Sequence, residues 1–356
     1  MLKKIILFFV FLLIAVSSLI YYVSDVSKYI YAGKTINVLI FVEGSVKTYP
    51  GTLKIALCQY NPLKKRVQIL FINENTAILR KKLKTRTLKE LFFRQSNPNR
   101  IDFIKREVAN LFKGMVEIDY YVYSDTDSLN AFLKLLNECE MKKKLGNSCF
   151  YIALNSRNHL NGVITSIKII KYTVSNINRS LIPEIIKFLK NKNIIIQTDF
   201  KPVDLVQIYR IIKNINTRKD IMFIDMPTVI RRNRTEIDQE AFDRVIEMLN
   251  GTYPDNEAEK INLQVLNSSN KNRLAEKAVN LLRKNSFDVF YWGNESRKNK
   301  FTVVLDMINN PEKSNEIVNL LGCGEILVSA NPKPFADMTV LLGNDCILYD
   351  KLDKIN

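Results

Sequence analysis

Three apolar runs follow one another closely, at 38–42, 53–60 and 67–72, each of strand length and bounded by turn residues. They predict three neighbouring strands. Asn61, Pro62 and the basic residues Lys64, Lys65 and Arg66 make a short polar connection between the second and third. Proline presets a turn dihedral and has no amide for a ladder, so the spacing predicts a hairpin. The first run ends at Glu43 and Gly44, and the third at Asn73, Glu74, Asn75 and Thr76. These ends are expected together at one sheet edge, a usual place for a site, although solvated loops share that composition.

Further along, apolar positions 101, 104, 108, 111 and 112 recur at helical spacing, and Gly114 stands where a C-terminal cap would. A strand is expected over 116–123, and Ser124 to Asp127 start a helix that continues over 131–136. A short apolar run at 149–154, a helical segment at 185–189, a helix at 203–213 opened by Pro202, a strand at 221–226 and a helix at 238–249 continue the alternation. Helices alternating with strands predict an α-β-α layered unit around a mixed sheet. Residues 250–260 break the rhythm with Asn, Gly, Pro and charge, and read as a linker. Strands at 261–266, 287–291, 301–305, 326–328 and 338–342 follow, with helices at 316–321 and around Leu274, Ala278, Leu281 and Leu282. They predict a smaller α/β unit whose helix face is covered by its own strands.

The amino terminus changes the picture. After Lys3 and Lys4, residues 5–23 carry no charge and are long enough, at ~1.5 Å per residue, to cross a ~30 Å hydrocarbon core. Ala15, Val16 and Ser17 would also suit a signal-peptide cleavage site, but hydrophobicity continues to Val23 and favours an uncleaved anchor. The lysines place the amino terminus in the cytoplasm and the bulk outside. A formal charge of +17 suggests anionic company, and the extracytoplasmic address argues against nucleic acid. The basic run 80–86 is expected as a solvated face that could meet a headgroup. One histidine, His159, and five cysteines without Cys-x-x-Cys spacing argue against zinc sites and Ser-His-Asp triads. An oxidising compartment permits disulfides. Cys323 and Cys346 both border strands of the small unit, with one cysteine of the five left over in any pairing.

The stretch INLQVLNSSNKNRLAEKAVNLLRKNSFDVFYWGN, with ADMTVLLGNDC after it, resembles the LytR C-terminal domain. That family shows a strand ending in Asn, a Gly-rich loop, a helix and a later Ala-Asp-x-Thr-Val-x-Leu-Gly-x-Asp strand. Ala336, Asp337, Thr339, Val340, Leu342, Gly343 and Asp345 match it, and Asn267 opens the loop. Ser268, Ser269, Asn270 and Asn272 stand where glycines are usual. Residues 35–249 look like the LytR-CpsA-Psr catalytic domain, through the strand ending in Asn61 and Pro62, through 118–122 and through Leu160, Asn161 and Gly162.

This resemblance implies a protein handling glycopolymers carried on polyprenyl pyrophosphate and destined for the cell wall. The family's functional positions are largely replaced. Leu53 stands where the family has its magnesium aspartate, and a leucine offers no oxygen to a hard cation. Asn73, Glu74, Asn75 and Thr76 replace Pro-Arg-Asp-Thr, so only Thr76 survives. The phosphate-clamping arginines map onto Lys171 and Arg179. The expected organisation is a membrane anchor and stalk (1–34), a LytR-CpsA-Psr-like domain (35–249), a linker (250–260), a LytR C-terminal-like domain (261–349) and a tail (350–356). The resemblance implies binding of a polyprenyl-phosphate lipid or anionic wall polymer at a decayed site, with phosphate held by Arg179, Lys171 and Thr76. The alternative is a divergent glycopolymer transferase using magnesium, with its site rebuilt from Glu43, Glu74, Lys171 and Arg179.

Overall fold

The structure is a computed structural model, and it describes residues 24–44, 51–78, 86–95, 100–135, 159–176, 184, 187–188, 191, 194–252, 260–330, 334–346 and 348. It opens with helix α1 (Asp25–Tyr31) and the strands β1 (Ile36–Glu43), β2 (Leu53–Asn61) and β3 (Arg66–Ile72). The short strands β4 (Ala77–Ile78) and β5 (Arg86–Thr87) lead into α2 (Leu88–Arg94) and α3 (Arg100–Leu111). Then come β6 (Tyr120–Asp125), α4 (Thr126–Leu135), α5 (His159–Asn176), β7 (Ile196–Thr198), α6 (Pro202–Asn214) and β8 (Ile221–Asp225). The hairpin β9 (Thr228–Arg231) and β10 (Arg234–Ile237) precedes α7 (Gln239–Asn250). The last part holds β11 (Asn262–Asn267), α8 (Leu274–Lys284), β12 (Asp288–Asn294), β13 (Val303–Asp306), α9 (Pro311–Leu321), β14 (Glu325–Val328) and β15 (Met338–Leu342).

The expected hairpin forms. β2 pairs antiparallel with both β3 and β1, so the ends of β1 and β3 reach the same sheet edge, with Leu53 between them opposite Glu43. β6 joins β1 in parallel and β8 joins β3 in parallel, making the sheet mixed. Strands alternate their side chains between two faces. Leu39, Phe41, Leu53, Ile55, Leu70 and Ile224 bury one face under α2, α3 and α7. Val67, Ile69, Phe71 and Phe223 bury the other under Val163, Ile164 and Ile167 of α5. The layering is therefore α-β-α.

The sheet does not end where the composition changes at 250–260. Its order is β12-β11-β15-β13-β14-β8-β3-β2-β1-β6-β7, joined across the middle by Val328 of β14 beside Ile224 of β8. α5 packs on both halves, because Phe301, Val303, Leu327 and Leu341 of the small unit share one apolar cluster with Val67, Ile69 and Phe71. The small unit was expected to cover itself, but it borrows core on this back face. On its front face Leu274, Ala275, Ala278, Val279 and Leu282 of α8 are buried, whereas Leu281 is only partly so.

Residues 24–34, expected as stalk, pack on the body. The buried Asp204 carboxylate accepts from the Ser24 hydroxyl (2.7 Å), the Val26 amide (3.3 Å) and the Lys201 amide (3.0 Å). It thus serves the amino-terminal ends of α1 and α6 together, where helices leave amides unpaired. Among the described residues no helix is long and apolar enough to cross a membrane. The expected span at 5–23 lies outside them, as do the basic run at 80–85, the apolar run at 149–154 and Arg179, and 185–189 is described only at 187–188.

Candidate functional site

The carboxyl-terminal ends of β1, β3 and β6 meet the start of β2, and charged side chains gather at that edge. Glu43 ends β1, and β6 brings Tyr123 alongside it in parallel register. α3 starts with Arg100. The Glu43 carboxylate accepts from Arg100 Nη2 (2.8 Å) and from the Tyr123 hydroxyl (2.6 Å), and Arg100 also donates to the Tyr123 oxygen (3.0 Å). The Arg100 guanidinium lies 4.2 Å from the centre of the Phe92 ring, a cation–π arrangement. Arg100 and Glu43 are only 15% and 16% exposed, so solvent screens them weakly. Burial, then the hydrogen bond and charge of Glu43, hold the Tyr123 phenol well above its usual range, so it remains a donor. Among the described residues the buried Nε of Arg100 and Oγ1 of Thr76 have no hydrogen-bond partner.

Thr76 is fully buried and fixed by its backbone. Its amide donates to Asn73 O (3.0 Å), its carbonyl accepts from Leu88 N (3.1 Å), and it bridges to Thr235. The Asn73 side chain accepts from the Asn75 amide (3.0 Å), an Asx turn that shapes the loop after β3. Glu74 pairs with Lys54 at 2.9 Å. Lys54 follows Leu53 on β2 and so points to the opposite face from Leu53 and Glu43. Glu43 and Glu74 therefore do not converge, and each has its own cation.

The sequence expectation placed Lys171 beside Thr76, and the structure separates them. Lys171 lies on α5, reaches Glu325 at 2.6 Å and lines a cleft of about 490 Å³ with Arg66, Arg218, Lys219 and Ile221. Arg66 and Ile221 begin β3 and β8, so this cleft is at the opposite edge from Thr76. Leu53 is fully buried in the apolar cluster. Among the described residues no group of three or more His, Cys, Asp or Glu side chains is placed to hold a metal ion. Leu53, at the position where the resemblance implies a magnesium ligand, offers no oxygen to a hard cation. Sequence reading missed Arg100, which belongs to no motif; its only signal is its place just before a helical pattern.

The motif residues of the small unit do structural work. Asp337 accepts from the Asn262 amide (2.8 Å), tying β15 to β11. Asp345 accepts from the Thr302 amide (2.7 Å) and hydroxyl (2.8 Å). Gly343 runs against Phe301, whose carbonyl carbon a Cβ at that position would strike. Asn267 accepts from Ser269 and donates to the Lys271 carbonyl (2.8 Å), closing the loop after β11. Residues 260–345 match the family described as LytR cell envelope-related transcriptional attenuator. That match covers the small unit alone. Among solved structures it is similar to Bacillus subtilis TagV, at 14% identity over 62% of this chain and 97% of that one, with a TM-score of 0.48. It is also similar to Lin1025 from Listeria innocua (14%, 61% and 98%, 0.44) and to TagT bound to LI-WTA (12%, 61% and 90%, 0.43). No curated protein matches the chain.

Proposed function

We propose that this chain is a cell-envelope protein of the LytR-CpsA-Psr type, held at the cytoplasmic membrane by residues 5–23 with its bulk outside. It binds a polyprenyl-phosphate-linked or anionic glycopolymer at the edge of β1, β3 and β6, and does not transfer it. The LytR C-terminal domain and the +17 charge support the address and the class of ligand. The observation that carries the non-catalytic half is the Glu43–Arg100–Tyr123 group beside a buried Leu53. The guanidinium that would face a phosphate is already neutralised by Glu43, and the position of the family's metal ligand is part of the core. A phosphate oxygen that takes the place of Glu43 would be held by Arg100 and Tyr123, which suits binding and leaves no activated leaving group.

The test pairs carrier-lipid binding with magnesium-dependent phosphate release on the full chain in detergent, using the parent, Arg100→Ala, Arg179→Ala and Glu74→Ala. Binding without release is expected, weakened about tenfold or more by Arg100→Ala, because a charge-assisted contact is lost. Strong release abolished by Glu74→Ala would establish the transferase instead. Binding indifferent to both arginine substitutions would remove the site. Protease digestion of intact cells checks the address, and complete protection of the bulk would overturn it.

A further inference from the structure

Two cysteines of the small unit lie against each other at its seam with α5. Cys323 sits between Gly322 and Gly324 in the turn leaving α9, and Cys346 follows β15. Both belong to the same apolar cluster, Cys346 fully buried and Cys323 partly exposed, and neither is in a disulfide. Thr302 joins their two turns: its carbonyl accepts from the amide of Glu325 (3.2 Å), two residues after Cys323, and its amide and hydroxyl donate to the carboxylate of Asp345, the residue before Cys346, so that the two thiols lie within reach of each other. Lys271 stands close, its Nζ donating to the Cys346 carbonyl at 2.6 Å.

We propose that Cys323 and Cys346 are a dithiol that closes to an intramolecular disulfide. The oxidant is another disulfide, either a small molecule or a thiol–disulfide oxidoreductase. The exposed Cys323 attacks it after losing its proton, one S–S bond breaks, and the first thiolate leaves. Cys346 then attacks the Cys323 sulfur of the mixed disulfide, releasing the second thiolate. The protein loses two electrons and two protons, and the oxidant becomes two thiols. The bond ties the turn after α9 to the residue following Asp345, whose carboxylate holds Thr302 and pairs with Lys168 of α5 at 3.4 Å. Oxidation therefore fixes the corner of the small unit that faces α5. Cys58, the other cysteine among the described residues, lies on the back face of β2 among apolar groups, and burial pushes its thiol up to about 12, so it stays unreactive.

The experiment equilibrates the purified full chain with glutathione disulfide, blocks remaining thiols and maps peptides without reduction. A peptide pair joined through Cys323 and Cys346, lighter by about 2 Da than its two thiol forms, is expected. Thermal melting of the oxidised parent should rise by several degrees over the reduced parent, because the cross-link restricts the unfolded chain. Cys323→Ala, which leaves the buried partner in place, should melt at the same temperature with and without oxidant. Recovery of Cys323 and Cys346 as alkylated thiols from the oxidised parent, or cross-links through other cysteines only, would overturn the proposal.

Discussion

Arg100 is the residue whose environment says most about the edge it occupies. Its guanidinium lies against Phe92 and between Glu43 and Tyr123, so removing it leaves a carboxylate mostly buried without its cation. Arg100→Ala is expected to cost about 3 kcal/mol in denaturant unfolding, as for broken buried pairs, and Glu43→Gln combined with Arg100→Ala less than the sum of the two single changes. Additive losses would show the pair to be uncoupled. Beyond its place before a helical pattern, nothing in the sequence marks Arg100, because its partners lie on β1 and β6 and the parallel pairing of those strands brings them together. Glu43, Leu53 and Glu74 were legible as an edge because turn residues end strands. That Glu43 and Glu74 face opposite ways depends on the one-residue step from Leu53 to Lys54. A second residue-scale expectation concerns Asp306. Burial raises its carboxyl above the usual 3.8, against the lowering effect of the Asn310 amide, the Ser314 hydroxyl and the amides of Ile308 and Asn309. A raised value in the folded state means that the folded chain binds this proton more tightly than the unfolded one. Its contribution to stability is thus fully present below 3.8 and is lost as pH rises through the folded value. The melting temperature of the parent, measured against Asp306→Asn, is expected to move in the parent's favour as pH falls from about 7 to about 4. A gap that widens the other way would show that the carboxyl is not held protonated by the fold.

At the scale of elements, α5 shows why pattern reading stopped short. The segment HLNGVITSIKIIKYTVSN is dense in Ile, Val and Thr, which favour strands, and its helical character was not read from sequence, where only His159, Leu160, Asn161, Gly162 and Lys171 drew notice. Tertiary packing overrides that preference. Thr165 and Ser166 satisfy their hydroxyls on the carbonyls of Asn161 (2.7 Å) and Gly162 (3.0 Å), and Val163, Ile164 and Ile167 are buried against the sheet. The hairpin of β9 and β10 was hidden for a different reason. Its turn places Arg232 and Asn233 in the left-handed region, without the glycine that usually signals it. The helix face of α8 was legible to within one position. Leu282→Asp is expected to unfold the small unit, while Leu281→Asp costs markedly less, because only Leu282 is fully buried. Circular dichroism melts of the two variants check this, and equal losses would mean that Leu281 packs more deeply than its partial exposure implies. α1 is held by the packing of Val26 against Tyr120 and by the Asp204 carboxylate at its amino-terminal end. Asp204→Ala should release residues 24–34 from the body, read as faster amide exchange there, since Ser24 and Val26 lose their acceptor.

At the scale of the molecule, the composition break at 250–260 and the continuity of the sheet pull in different directions, and the packing decides between them. Pattern reading gives the strands and their types; it does not give their lateral order, so the junction of β14 with β8 was not visible. The junction itself is narrow, with Val328 beside Ile224 as its paired position. What strengthens it is the back face. Phe301, Val303, Leu327 and Leu341 are each less than a tenth exposed, and they share their cluster with α5 and with β3 and β8. Lys171 with Glu325, and Lys168 with Asp345, flank that cluster with two ion pairs, which contribute little by themselves where partly exposed. Most of the coupling is therefore apolar. Ile167→Ala, which removes a fully buried side chain from α5, should cost about 2–5 kcal/mol and should destabilise both halves together. The whole folded body is expected to melt in one cooperative transition. A chain beginning at Lys260 would present those four apolar side chains to water, and should bind a hydrophobic dye and melt at a lower temperature than the same residues in the full chain. Two separate calorimetric transitions in the full chain, the second matching the isolated unit, would show instead that the back-face cluster does not join the two halves.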